Sequence, residues 1–196
     1  MIDLGDAPIA QATPALLDWG GVSTPLLGGV TQRLDRIGSR HRIDVQLRAM
    51  PIADEGRRWI ARLLRAKAEG ARLRWPQVEF PVGAPGAATV RVATSGGRTL
   101  PVIGAAAGYT VSEGQWLSIS RGGRSYLYGV SQDVTLNAQG SGDLPLDVAL
   151  RTPLSVGDAV ELAAPVIEGW IDGDGLSWTI EQSRTVGLSF GIVERA

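Results

Sequence analysis

Cysteine is absent from the 196 residues, and histidine occurs once, at position 41. The first absence removes a disulfide framework, a thiolate metal site and a cysteine nucleophile. The second removes multi-histidine zinc or iron centres and leaves any histidine-based triad resting on one residue. Charge of one sign is also lacking: 19 basic and 20 acidic residues leave a net charge of −1. No bulk field therefore draws the chain toward nucleic acid or a membrane. No apolar run is long enough to span a bilayer, which excludes helical membrane insertion as an expectation. The start, "MIDLGDAPIAQATPALLDWGG", is acidic and broken by prolines, without the basic start and apolar core of a signal peptide. Synthesis and use on the cytoplasmic side fit best, with no cofactor and no metal expected.

What is present is glycine and proline, 26 and 11 residues, scattered rather than clustered. Frequent turns between many short strands are the usual cause of that pattern. Residues 1–29 have no clean period and read as a partly extended arm with a short strand. In "RHRIDVQLRA", Ile43, Val45 and Leu47 alternate with Arg42, Asp44, Gln46 and Arg48, which predicts a half-buried strand. The period then changes. In "ADEGRRWIARLLRAKAEG", Trp59, Ile60, Leu63, Leu64 and the stem of Lys67 fall at three-and-four spacing. Asp54 and Glu55 suit the positive end of a helix and Gly70 its stop, so one helix is predicted over about residues 54–69. A strand, "ARLRWPQ", follows.

From residue 81 the text is glycine-rich, with candidate strands at 88–94, 99–104, 115–120, 124–137, 143–149 and 158–163. Short strands at that density suggest a small barrel or sandwich. After Pro165 long alternation returns: Leu176, Trp178 and Ile180 on one face, then Leu188, Phe190 and Ile192. These strands match the one at 42–48 better than the glycine-rich block. The predicted fold class is mainly β with one helix. Residues 1–80 together with 166–196 form the first domain, and 81–165 form a small β-barrel inserted between them.

"GWIDGDGLSW", residues 169–178, sets two aspartates two positions apart among glycines. A calcium loop starting at Asp172 would need oxygen ligands at its third, fifth and twelfth positions. Those fall on Asp174, Leu176 and Ser183, so two of the four side chains are wrong. Asp-Gly pairs are strong hairpin-turn signals, and a tight corner between two strands is the reading adopted.

Arg57, Arg58, Arg62, Arg65, Lys67, Arg72 and Arg74 make the helix region basic. Such charges are a solvated face, a protein interface or, less commonly, a nucleic-acid surface. Residues 40–74 hold ten basic and four acidic residues, +6, while 126–196 hold three and ten, −7. Segments of opposite sign let neighbouring copies meet head to tail, the contact that closes into a ring, or else neutralise each other within one chain. Arg58, Arg62 and Arg65 are the interface candidates. Catalytic signals are poor: Ser39 beside His41 on one strand is no triad, no strand-to-helix nucleophile elbow is read, and "GGRTLPVIG" lacks the ending of a phosphate loop. Trp116 with Tyr126 and Tyr128 offers an alternative, a stacking face on the small barrel for sugar or single-stranded nucleic acid.

The strand "RIDVQLRAM", the helix "ADEGRRWIARLLRAKAEG" and "LRWPQ" resemble the start of a siphophage distal tail protein. The run containing "EGQWLSI", "GRSYLYGV", "DVTLNAQGSG" and "LR" before "GDAVEL" is similar to a segment of tail-tip proteins of tailed phages and prophages. The resemblance implies a virion component assembled in the host cytoplasm. That component is a homo-hexameric ring joining the tail tube protein to the tail hub protein of the baseplate, with DNA passing through its lumen without specific binding. It also implies a tail-tube-like β-sandwich domain, an inserted barrel of oligonucleotide/oligosaccharide-binding (OB) type and no catalytic residues.

Overall fold

A computed structural model describes residues 1–5, 7–34 and 36–195. The chain opens with β1 (Ile2–Asp3) and β2 (Ile9–Leu17), followed by a projecting hairpin of β3 (Gly21–Ser23) and β4 (Gln32–Leu34). Next come β5 (Arg40–Leu47) and β6 (Met50–Pro51), then one π-type turn at Ile52–Gly56 that runs into α1 (Arg57–Glu69). After β7 (Ala71–Arg74) lie β8 (Gly86–Val90), β9 (Thr99–Ala105), β10 (Thr110–Val111), β11 (Trp116–Arg121) and β12 (Arg124–Gly129). The remaining strands are β13 (Val134–Thr135), β14 (Gly142–Pro145), β15 (Ala159–Glu161), β16 (Val166–Ile171), β17 (Trp178–Ile180) and β18 (Thr185–Glu194). The protein is mainly β with a single α-helix.

Two sheets carry the fold. The larger has the order β1-β7-β16-β18-β5-β2, with β6 and β17 also pairing along β18, and every strand in it comes from the two ends of the chain. The smaller has the order β12-β11-β15-β8-β9-β14 and is built wholly from the middle. It curls until a bridge between Val130 and Leu146 ties its two ends, and its interior is filled by side chains such as Val90, Leu100, Val102, Ile119 and Leu144. Curling brings the two ends together at that bridge but leaves β12 as an edge, and the glycine turns allow the short strands to curl.

The larger sheet, hereafter the platform, shows strict alternation. On β5, Ile43, Val45 and Leu47 are buried, and on β18 Val186, Leu188, Phe190 and Ile192 join them in one core. Trp59, Leu63 and Ala66 bring α1 onto that face, a stripe at i, i+4 and i+7. Full burial of side chains of this size stabilises by roughly 1.5–3 kcal/mol each. Leu64, expected in the stripe, is instead 48% exposed; it sits one residue past Leu63, about 100° around the helix. Gly70 ends α1 with φ +84°, a backbone conformation that side chains resist, and its N–H donates to the Ala66 carbonyl at 2.8 Å.

Three expectations need correction. Residues 1–29 contain a nine-residue strand, β2, and half of a hairpin, where only a short strand was expected. The 124–137 strand is broken, because β12 stops at Gly129 and β13 pairs with β10 instead. Most informative, β16 and β17 do not form a hairpin with each other. Both run antiparallel along β18, Ile171 opposite Ile192 and Trp178 opposite Leu188. Residues 172–177 are therefore looped out of one interrupted strand, six residues facing three. The true corner lies at 181–184, where the Arg184 N–H donates to Glu181 O at 2.9 Å and Arg184 takes φ +60°.

Candidate functional site: a buried charge clasp at the platform–barrel junction

The looped-out segment is held by contacts within the chain. Asp172 pairs with Arg42 at 2.6 Å, and Lys67 Nζ donates to the carbonyls of Ile171 and Gly173. Among the described residues no cluster of three His, Asp or Glu is disposed to hold a metal ion.

The predicted interface residues lie along the exposed side of α1. Arg58 pairs with Asp54 at 3.0 Å and Arg65 with Glu69 at 3.3 Å, while the Arg62 guanidinium sits 5.3 Å from the Trp59 ring centroid. The spacing i, i+4, i+7 puts all three on one face, as the sequence implies. Such exposed pairs contribute little to stability. Part of the charge separation between the two segments is cancelled within the chain, through Arg42–Asp172 and Arg72–Glu168.

The alternative stacking face does not survive. Tyr128 is fully buried and Tyr126 is 9% exposed, both inside the barrel core. Their rings are held there because they fill the curled sheet, and the Tyr128 hydroxyl accepts from the Arg151 N–H at 3.1 Å. Burial pushes the Tyr128 phenol above its ordinary value. Trp116 turns the other way, 4.6 Å from Trp75 and 4.9 Å from His41 between ring centroids. No two of the three offer a shared open face.

One serine pattern escaped the sequence reading. Gly187-Leu188-Ser189-Phe190-Gly191 has the spacing of a nucleophile elbow, but it lies mid-strand in β18, with Ser189 opposite Gln46. An elbow needs a strained strand-to-helix turn and a histidine within reach. Here the single histidine is engaged elsewhere.

That engagement is the most unusual chemistry in the molecule. Strand β12 is the edge of the barrel sheet, and the N–H groups of its alternate residues point away from β11. Each meets a carboxylate: Ser125 N–H donates to Glu168 at 3.3 Å, Leu127 N–H to Glu194 at 2.7 Å and Gly129 N–H to Asp147 at 2.9 Å. Glu168 stands on β16 and Glu194 on β18, so the platform seals the barrel's open edge with acid side chains rather than with another strand.

The charges are then balanced. Arg151 ion-pairs with Glu194 and donates to Leu127 O at 3.0 Å and Ser39 O at 3.2 Å; its guanidinium lies 4.8 Å from the Tyr128 ring centroid. Arg72 pairs with Glu168 at 2.6 Å. His41 stands between the other two acids. Its Nε2 is 2.9 Å from Asp147, its Nδ1 is 3.7 Å from Glu194 Oε2, and its backbone N–H donates to that same oxygen at 3.0 Å. His41 and Glu194 are 2% and 1% exposed. Burial alone would lower the imidazole; the hydrogen bond to Asp147 and the field of the Asp147 and Glu194 carboxylates outweigh it and hold His41 above its ordinary value of 6.5.

A signal for this clasp was in the sequence. His41 and Glu194 fall on the inward-facing parity of β5 and β18, the positions otherwise held by Ile43, Val45, Leu188 and Ile192. Opposite charges placed at core positions of two amphipathic strands call for each other. Their third partner, Asp147, lies in a loop and carried no such mark.

Comparison with known protein families finds no match to the chain, and comparison with curated proteins finds none either.

Proposed function

We propose that the protein is a structural component of a phage or prophage tail tip: a distal tail protein forming a six-membered ring between the tail tube and the baseplate hub. The observation that carries this reading is the open edge of the platform. Strand β2 runs nine residues as the last strand of its sheet, with no partner on its outer side among the described residues. An unpaired strand of that length is a template for a neighbouring chain, and closing a ring satisfies it. Beside it the β3–β4 hairpin exposes Val22, Leu26, Leu27, Val30 and Leu34. Apolar side chains concentrated on one projection mark an assembly surface.

The platform's outer face suits a channel wall. Gln11 and Thr13 of β2, Gln46 of β5 and Gly187, Ser189 and Gly191 of β18 share the side away from α1. On the same side Arg42 is paired with Asp44 at 2.8 Å and with Asp172, and Arg40 lies 5.6 Å from the Trp19 ring centroid. A polar wall whose cations are engaged lets DNA slide rather than bind. The inserted barrel is read as the OB-type domain of such proteins, serving architecture rather than ligand capture. The helix arginines then face a neighbouring subunit or ring.

Light scattering on the purified chain, alone and mixed with its tail tube protein, tests the reading. The expected product has about six times the 20.7 kDa chain mass. The double reversal Arg58→Glu/Arg62→Glu should weaken that assembly at least tenfold while the melting temperature stays within about 2 °C, since exposed pairs contribute less than about 1 kcal/mol. A chain that stays monomeric with its tube partner present overturns the ring, and an unchanged oligomer after the double reversal overturns the helix contact.

A further inference from the structure

Among the described residues two acids face His41, and the guanidinium of Arg151 pairs with one of them. The charged and titratable groups near the imidazole come from several elements, and Arg98 shares a small cavity with Asp147 on the side away from the ring. Glu194 comes from β18, Asp147 and Arg151 come from the segment after β14, Arg40 is the neighbour on β5, and Tyr128 of β12 lies under Arg151. The remaining walls are the rings of Trp75 and Trp116, which exclude water and carry no charge. Arg40, one residue before His41 on β5, turns to the opposite face, 5.6 Å from the Trp19 ring centroid; counting the remaining Arg151, Asp147 and Glu194 leaves one negative charge, and a protonated His41 cancels it.

Geometry makes the same demand. Nε2 at 2.9 Å from Asp147 must carry a proton to make that contact. Nδ1 is buried with no hydrogen-bond partner, 3.7 Å from the Glu194 carboxylate. In a neutral ring protonated at Nε2, the Nδ1 lone pair would point at that anion across a dry space. In the imidazolium both ring N–H groups face carboxylates.

We propose that protonated His41 is the lock holding the inserted barrel on the platform, and that loss of its proton releases the edge of β12 and frees the barrel to move. The covalent links between barrel and platform are the segments 75–85 and 162–165, and beyond the clasp Val166 N–H donates to Ser118 Oγ at 3.2 Å, so release leaves a hinged body rather than an unfolded one. The direction follows from linkage. A histidine held above 6.5 contributes its full stabilisation below that pH and loses it as pH rises through the folded value. The proton therefore acts as a ligand that binds the closed junction more tightly than the open one. In an assembled tail such a joint would let one unit reorient while the other stays fixed, although the lock itself does not depend on the ring reading.

The chain's single histidine makes the test clean, because its imidazole gives one unambiguous NMR signal. The ring would be titrated from pH 5 to 9.5 while hydrogen-exchange protection factors, corrected for the intrinsic pH dependence, are followed at the amides of Ser125, Leu127 and Gly129. The expected result is an imidazolium at neutral pH and a fall in protection of tenfold or more that tracks its deprotonation. Asp147→Asn should move both the titration and the loss of protection to lower pH together. His41→Gln, checked for folding by circular dichroism, should show weak protection at all three amides with no pH step. Deprotonation of His41 with protection unchanged would overturn the proposal, and so would a ring already neutral at pH 6 beneath fully protected amides.

Discussion

The outer edge of β12 and the outer edge of β2 pose the same problem, a row of backbone groups with no strand beside them. On β12 the chain answers from within: Glu168, Glu194 and Asp147 each take one N–H, and Arg72, Arg151 and His41 balance the acids. On β2 no such carboxylate is found among the described residues, and Ala10, Gln11, Thr13, Pro14, Ala15 and Leu16 remain exposed. The difference teaches where the molecule is finished and where it is not. Sealing an edge with buried charges costs desolvation, which only well-formed pairs offset. Nothing comparable is spent on β2, where another chain can do the sealing by simple strand addition.

The largest effect expected from breaking that contrast is at Glu194. Glu194→Gln keeps the shape but leaves Arg151 buried without its counter-ion and His41 with one acid instead of two. Removing one partner of a buried pair costs about 3–5 kcal/mol. The matching change on the other edge, Thr13→Glu, lies on an exposed position and should stay within about 0.5 kcal/mol. Chemical denaturation of both variants measures the gap directly. Equal costs would mean that the two edges are not differently finished.

Two glycines sharpen the comparison next, one in each unit. A Cβ at Gly140, which has φ +62°, would run into the backbone carbonyl of Ala105 in the barrel, and one at Gly169 into the carbonyl of Val193 in the platform. Neither neighbour is a flexible side-chain tip, so the backbone must shift. Gly140→Ala combines that overlap with an unfavourable φ and should cost about 3 kcal/mol; Gly169→Ala has the overlap alone and should cost about 2 kcal/mol. Denaturant midpoints give the order, and a reversed order would show that the platform is the more tightly packed of the two.

Alternation made β5, β18 and the helix legible, because a half-buried strand and an amphipathic helix write their burial into every second or every third and fourth residue. Ile43, Val45, Leu47, Trp59 and Leu63 are buried as their periods require. Where period fails, so did the reading, and at 176–180 a clear period misled, since the three-residue β17 is exposed throughout, with Trp178 37% and Ile180 60% accessible. The 1–29 segment gave no period because β2 is an edge strand exposed on much of both sides, with only Ile9, Ala12 and Leu17 partly covered. "IDGDGLSW" carries hairpin chemistry, yet the partner of Trp178 is Leu188, chosen by the long strand β18 rather than by the local turn. Tyr126 and Tyr128 looked like a surface pair because they sit two apart, but curling of the small sheet turns both rings inward. The clasp was half legible: the misplaced charges at 41 and 194 are visible in sequence, whereas their meeting at Asp147 depends on how two sheets built from different parts of the chain abut.

The smallest effect concerns the foot of the β3–β4 hairpin, where a second carboxylate clasp works with the opposite sign of pH. Asp18 accepts from the Gly20 N–H at 2.8 Å, the Ser39 hydroxyl at 2.9 Å and Arg33 at 2.7 Å. The Gly20 backbone bond first, then Ser39 and Arg33, lower its carboxyl from 3.8 to about 2. A depressed carboxylate contributes fully above its unfolded value and loses the contribution as pH falls through its folded one. The hairpin foot should therefore hold at pH 4 and loosen as the solution approaches pH 2, whereas the His41 junction loosens on the alkaline side. The Trp19 and Gly20 amide resonances, followed from pH 5 to 1.5, should shift with a midpoint near 2, and Asp18→Asn should abolish the shift. A midpoint near 3.8 would mean that Asp18 is not held by its three donors, and the projecting hairpin would then be tethered only by its strands.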